Sequence, residues 1–293
     1  MKLTRVRALT LLASAPLFAS CGSRGGAIAV GSKNFTESFV IAEIYAQALE
    51  IAGLRVDRRF NLGSTQIALA AMHRGDIDLY PEYTGTALVD VLHLAPIGDA
   101  RALYRTVARE FRRRYDLIWL QPSPMNDSQG LATTRSVAQR ERIATLSDLA
   151  PKASGLRLAT IQEFLSRPDG LPGLQRVYGG FNFKDVRTYD IALKYQALIS
   201  GRADVASAFT TDGAIATDDL VVLRDDRHLW PPYNVAPVVR EQTLAAQPRL
   251  APALDRIAPA LTDAAAQRMN AAVESGHKDP ADVASAFLAS LKG

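Results

Sequence analysis

The segment Gly75-Asp76-Ile77-Asp78-Leu79-Tyr80-Pro81-Glu82-Tyr83-Thr84-Gly85-Thr86 is echoed later by Gly201-Arg202-Ala203-Asp204-Val205-Ala206-Ser207-Ala208-Phe209-Thr210. Gly75, Asp78, Tyr83 and Thr84 map onto Gly201, Asp204, Phe209 and Thr210 at one constant offset of 126 residues. Each copy follows an amphipathic run, so each reads as helix, Gly turn, short strand and a polar loop carrying an aromatic ring and Thr. A unit of this kind made twice predicts two similar α/β lobes facing one another.

The chain between the copies agrees. Ala27-Ile28-Ala29-Val30-Gly31 is a short apolar first strand, and Ser32 to Glu37 is its exit loop. Phe39 to Ile51 has apolar residues at helical spacing and is stopped by Gly53. Leu54 to Phe60 reads as a second strand, Arg101 to Tyr115 as a helix, and Leu117 to Leu120 as a strand. Gln121 to Ser128, broken by two prolines, reads as a crossover into a second lobe. Its sheet opens at Leu156 to Thr160 and includes Leu220 to Leu223. Trp230-Pro231-Pro232-Tyr233-Asn234 is the return crossover. From Glu241 onward the chain is Ala-rich and helical, with starts at Thr262 and Asp279-Pro280 and a stop at Gly276. This tail is expected to pack back on the first lobe and to carry no chemistry. Strands alternating with helices imply mostly parallel sheets, with ligands at the carboxyl ends of the strands.

The first twenty residues stand apart. Lys2, Arg5 and Arg7 precede the apolar run Ala8 to Ala19, too short to span a bilayer and right for a secretory signal. Leu17-Phe18-Ala19-Ser20-Cys21 resembles a bacterial lipoprotein processing site, so the only cysteine is expected to carry lipid at the mature N-terminus. The whole chain has 34 Lys and Arg against 30 Asp and Glu. Loss of the leader leaves 31 against 30, so the precursor's basic balance does not argue for nucleic acid. Arg112-Arg113-Arg114 is a solvated helix end.

Signals for catalysis are weak. No Gly-x-Ser-x-Gly elbow or phosphate loop occurs, and His73, His93, His228 and His277 lack metal spacing. Asp78 and Glu82 read as turn and capping groups. Binding signals are stronger. Tyr83, Phe209 and Tyr233 each sit where a strand gives way to a loop. Facing rings form a cage for a quaternary ammonium, each desolvated face contributing about 0.5–2 kcal/mol. Lys33 and Arg167, the latter on an exposed turn, can hold a carboxylate. Taken singly these are ordinary packing and surface residues; together they describe a zwitterion site.

Gly31 to Glu37, Asn61 to Thr65, Gly75 to Thr86, Arg167 to Leu171, Phe209 to Gly213 and Pro231 to Tyr233 resemble the substrate-binding proteins of osmoprotectant ABC importers for glycine betaine, choline and carnitine. The resemblance runs from about Ile28 to Arg240. It implies a type II periplasmic-binding-protein fold, two α/β lobes with mixed, mostly parallel sheets joined by two crossovers. The expected division is a signal peptide at 1–20, a tether at 21–27, one lobe from 28–127 and 231–293, and the other from 128–230. The resemblance implies a cage of Tyr83, Phe209 and Tyr233 and carboxylate contacts from Lys33, Thr86 and Arg167. Asn126, Asp127, Gln129 and Thr210 complete the expected ligand-binding set. Phe209 stands where many members have Tyr, and Gln129 where members commonly have another aromatic. Retention of both Lys33 and Arg167 favours glycine betaine over choline.

The expectation is therefore a non-enzymatic, exported, monomeric binding protein without cofactor or metal, lipid-anchored at Cys21. It hands a quaternary amine to a membrane permease whose ATPase is a separate chain. Carnitine, ergothioneine or choline are alternative ligands. A sensing domain, or an enzyme on the same fold such as a deaminase with a covalent cofactor, are the rival classes.

Overall fold

The computed structural model describes residues 26–191, 193–217 and 220–291; the leader and Cys21 lie outside them. The described strands are β1 (Ile28–Gly31), β2 (Val56–Arg59), β3 (Leu79–Tyr83), β4 (Leu117–Trp119), β5 (Gln129–Thr134), β6 (Arg157–Thr160), β7 (Asp185–Thr188), β8 (Val205–Phe209), β9 (Leu220–Val222) and β10 (Val235–Arg240). They form two five-stranded sheets, β2-β1-β3-β10-β4 and β7-β6-β8-β5-β9. In each, one strand runs against the rest: β10 is antiparallel to β3 and β4, and β5 to β8 and β9. The two orders correspond strand for strand, with β3 matching β8 and β10 matching β5.

Alternation along the strands sends side chains to opposite sheet faces. In the first lobe Val235 and Val239 enter one apolar core and Ala236 and Val238 the other. In the second, Leu131, Leu158 and Val205 face one core, while Ala132, Ala159 and Ala206 face the other. Burying each large aliphatic side chain contributes about 1.5–3 kcal/mol. The helix predicted from Phe39 begins earlier, at Thr36, and runs to Ile51. Its first turn therefore contains Glu37, which is buried. The expected polar turn after Tyr83 is instead a single helical turn, Thr84–Thr86, widening into a π-helical turn at Ala87–Val91.

The repeat of the sequence is a repeat of hydrogen bonds. Gly75 and Gly201 both take positive φ, +78° and +69°, after the helices Thr65–Arg74 and Lys194–Ile199. That conformation suits Gly because it has no Cβ. Asp78 then clamps Ala29 of β1: its N–H donates to Ala29 O at 2.7 Å, and its Oδ2 accepts from Ala29 N at 2.9 Å. Asp204 clamps Arg157 of β6 in the same way, both contacts at 2.9 Å. The acids at these two positions are structural staples, in keeping with the reading of Asp78 as a turn and capping group.

The threonines repeat as well. Thr84 Oγ1 donates to Pro232 O at 3.1 Å and accepts from Asn234 N at 3.0 Å. Thr210 Oγ1 donates to Asn126 O at 2.9 Å and accepts from Ser128 N at 2.9 Å. Each lobe thus pins the opposite end of a crossover. The crossovers also pair with one another through an antiparallel bridge between Asn126 and Asn234. Asn126 Oδ1 accepts from Tyr233 N at 2.7 Å, and Asp127 N donates to Tyr233 O at 3.3 Å.

The C-terminal helices pack on helix Thr36–Ile51, as expected for the tail. Helix Asp263–Glu274 also touches Gly213–Thr217 in the other lobe. Its start is the predicted one, with Thr262 Oγ1 capping Ala265 N. No helix among the described residues is long and apolar enough to cross a membrane.

Candidate functional site

The carboxyl ends of β1, β3, β6 and β8 converge between the lobes, where a cavity of about 240 Å³ opens. Lys33, Tyr83, Thr86, Asp127, Gln129, Arg167, Phe209 and Tyr233 line it. Eight of the ten expected contact residues therefore share one cleft. The other two do not. Asn126 and Thr210 lie outside the lining, and their polar groups are taken up by the crossover bonds described above. Sequence proximity to the cleft is a poor guide when alternate residues along an extended crossover point away from it.

Tyr233 is seated by Gly85. A Cβ there would fall 2.6 Å from the Tyr233 ring, so only glycine lets the ring lie on this backbone. The Tyr233 hydroxyl donates to Asp169, which is fully buried. Arg167 grips the same carboxylate with two bonds, Nε to Oδ1 at 2.8 Å and Nη2 to Oδ2 at 2.7 Å. Burial pushes the Asp169 carboxyl up, but the Arg167 guanidinium outweighs it and holds the group below the usual carboxylate range. Arg167, expected on an exposed turn, is mostly buried for this reason. Gln129 joins the network by donating from Nε2 to Asp169 Oδ2 at 2.7 Å. It is therefore no free wall of the cage: its amide nitrogen is committed to an anion.

Lys33 has a similar arrangement. Its Nζ donates to buried Glu82 Oε1 at 2.8 Å and to Thr65 Oγ1 at 3.3 Å. The ammonium lies 4.6 Å from the Tyr83 ring centroid and 5.6 Å from that of Phe35. Glu82, read from sequence as a turn group, is the counter-ion of Lys33. Behind Phe209 sits Lys194, its Nζ 4.9 Å from the ring centroid and 2.9 Å from Asp212 Oδ2. Both matched rings thus carry a lysine ammonium nearby, one from the cleft and one from the lobe interior.

The third element is acidic. The Tyr83 hydroxyl donates to Glu37 Oε1 at 2.6 Å, and Asn270 Nδ2 to Glu37 Oε2 at 3.0 Å. Thr211 Oγ1 donates to Asp127 Oδ1 at 2.7 Å. Burial, reinforced by Asp212, pushes the Glu37 carboxyl up. Burial, then Glu37 and Asp212, push Asp127 well above the usual range. Glu274, the last residue of helix Asp263–Glu274, is pushed up to about 7 by burial and Asp212, against the pull of Lys194. The tail expected to carry no chemistry therefore supports the cleft from behind, Asn270 donating to Glu37 Oε2 and to Thr211 O.

Sequence reasoning missed Glu37, Asp90, Glu163, Asp169 and Asn270 as contributors to the cleft or its support. Glu37 and Asp169 stood inside quoted motifs, four residues from Lys33 and two from Arg167, and were passed over because a lone acid in a loop is usually solvated. Nothing in the sequence points to Asn270.

Residues 26–290 match the family described as the substrate binding domain of ABC-type glycine betaine transport system. A glycine-betaine-binding protein of Pseudomonas aeruginosa is 36% identical over 94% of this chain and 92% of its own length. A Helicobacter pylori protein named as an ergothioneine transport permease and ergothioneine binding protein is 31% identical over 90% of this chain and 47% of its own length. Among solved structures, a glycine betaine/carnitine/choline ABC transporter protein superposes with a TM-score of 0.75 at 30% identity, covering 90% of this chain and 98% of that one.

Proposed function

This chain belongs to the family of substrate-binding domains of ABC-type glycine betaine transport systems, and from that we propose that its cleft captures a small quaternary-ammonium zwitterion, glycine betaine first. One observation carries the reading: Tyr83, Phe209 and Tyr233 come from three distant stretches and line one cavity between the lobes. Ring faces attract a cation whose methyl groups also gain from burial, at about 25 cal/mol per Å².

The carboxylate end is met differently from the simplest clamp. Lys33 and Arg167 are each neutralised by a buried acid, so neither is a bare cation awaiting an anion. The ligand's carboxylate instead takes remaining N–H groups of Arg167 and Lys33 and the Thr86 hydroxyl. Such a site selects by geometry and hydrogen bonding more than by net charge. Gln129, tied to Asp169, adds amide polarity to the wall and favours zwitterions with a polar face, carnitine and ergothioneine among them, over choline.

Ligand bridging the two lobes stabilises the closed arrangement through contacts available only there. The protein acts without catalysis, as an exported monomer tethered by lipid at Cys21, and presents the closed face to a membrane permease served by a separate ATPase.

A thermal-shift screen of the mature protein with glycine betaine, carnitine, ergothioneine, proline betaine and choline tests this. A ligand at a hundred times its Kd adds about 2.7 kcal/mol to native stability and raises Tm accordingly. Unchanged Tm with every quaternary amine would sink the proposal.

A further inference from the structure

At the cleft wall and just behind it lie two carboxyl groups that the zwitterion reading leaves unexplained. Asp127 lines the cavity, and Glu37 lies directly behind Tyr83. Both are buried, at 6% and 5% exposure. Among the described residues neither is held by a cation. The ammonium groups nearby already have partners, Lys33 with Glu82 and Lys194 with Asp212.

The two acids lie on either side of Thr211. Thr211 Oγ1 donates to Asp127 Oδ1 at 2.7 Å, and Asn270 Nδ2 donates to Glu37 Oε2 at 3.0 Å and to Thr211 O at 2.8 Å. With both acids ionised, two like charges would be buried together with no cation to balance them. One proton held by the pair removes that conflict. The other groups packed around the pair are the carboxyls of Asp212 and Glu274, which add negative charge, and the phenol of Tyr83, which donates to Glu37.

We propose that the Glu37–Asp127 pair holds one proton in the empty cleft and releases it to solvent when a quaternary ammonium enters, making Asp127 the counter-charge of the cage. This rests on the ligand class proposed above. The ligand brings the permanent positive charge that the pair lacks; no covalent bond changes, and the proton passes to buffer. By linkage, a ligand that favours the ionised pair binds more tightly as pH rises. The slope reaches up to about tenfold in affinity per pH unit while the empty pair is protonated, and falls to zero above its titration.

Calorimetric titration of glycine betaine from pH 5 to 9, in paired buffers of different ionisation heat, tests it. The expected result is release of up to one proton and affinity rising with pH. Choline, which has no carboxylate, should release the same proton. Asp127→Asn should still bind but with a flat pH profile and no buffer-dependent heat. Equal heats in both buffers with the native protein, or a slope retained in Asp127→Asn, overturns the proposal. The native measurement decides the matter even if the variant fails to fold. Binding of neither probe at any pH overturns the ligand class, and the proton release with it.

Discussion

The Tyr83 loop and the Phe209 loop are two uses of one device. Both follow a left-handed glycine, an Asp that clamps the neighbouring strand, and a Thr that pins a crossover. Their rings live differently. Tyr83 is buried, with its hydroxyl on Glu37 and the Lys33 ammonium over its face. Phe209 is half-buried, has no hydroxyl, and is backed by Lys194 and Asp212. The comparison teaches that the backbone scaffold of a lobe has been kept in duplicate while ring chemistry has diverged. Tyr83 serves the core as well as the cleft; Phe209 chiefly lines the cleft.

Truncating the rings should expose that division most strongly. Tyr83→Ala is expected to cost about 3–5 kcal/mol of stability, as for other buried aromatics. Phe209→Ala should cost markedly less stability, about 1–2 kcal/mol, while weakening betaine binding at least tenfold. Urea denaturation beside calorimetric titration separates the two, and equal stability losses would break the comparison.

The shared scaffold predicts a matched pair. Thr84→Val and Thr210→Val each remove one donated and one accepted bond to a crossover. Each should destabilise by about 1–3 kcal/mol, and the two values should agree within about 0.5 kcal/mol. A twofold disparity in urea midpoints would show that only one crossover is truly pinned.

Gly85 and its repeat position sharpen the asymmetry further. Gly85→Ala places a methyl against the Tyr233 ring and should cost about 1–3 kcal/mol through overpacking. The position 126 residues on is Thr211, which already carries a side chain and uses it on Asp127. Loss of betaine affinity in Gly85→Ala, with Tm lowered by a few degrees, is the expected outcome.

The smallest effect concerns Glu274, raised to about 7 by burial and Asp212. A carboxyl whose folded pKa exceeds its unfolded value supports the fold when protonated. That support is full below the unfolded value, near 4.3, and is lost as pH rises to about 7. Glu274→Gln should therefore be more stable than the parent at pH 8, by about 1–2 kcal/mol after allowing for partial exposure, and similar to it at pH 4. Thermal melts across that range check the sign.

The elements that were legible in sequence are those with local causes. The Gly turns, the two Pro-rich crossovers and the caps at Thr262 and Asp279 announce themselves within a few residues, whereas Asp78 closes on Ala29 49 residues away and Thr210, expected at the ligand, is taken up by Asn126 84 residues away. Ring positions were legible only in combination, three aromatics at strand ends together with the motifs of the resemblance, since each ring alone is ordinary packing. Partners were not. Lys33 is separated from Glu82 by 49 residues and Gln129 from Asp169 by 40, so the charge state of the cleft depends on pairings that only the closed fold creates. Arg167 and Asp169 are two residues apart, yet the pair is enclosed by Gln129, Trp230 and Tyr233, 40, 61 and 64 residues from Asp169. The same holds for Asn270, whose helix pattern is complete without reference to Glu37, 233 residues earlier.

The bridge between Asn126 and Asn234 has a mechanical meaning. Two separate linkers would let the lobes slide, twist and splay independently. Joined side by side, they form a short ribbon, which flexes readily across its flat face but resists shear within its plane. Thr84 and Thr210 fasten the two ends of that ribbon to the loops holding Tyr83 and Phe209, so any bend of the ribbon would be passed to the gap between the rings.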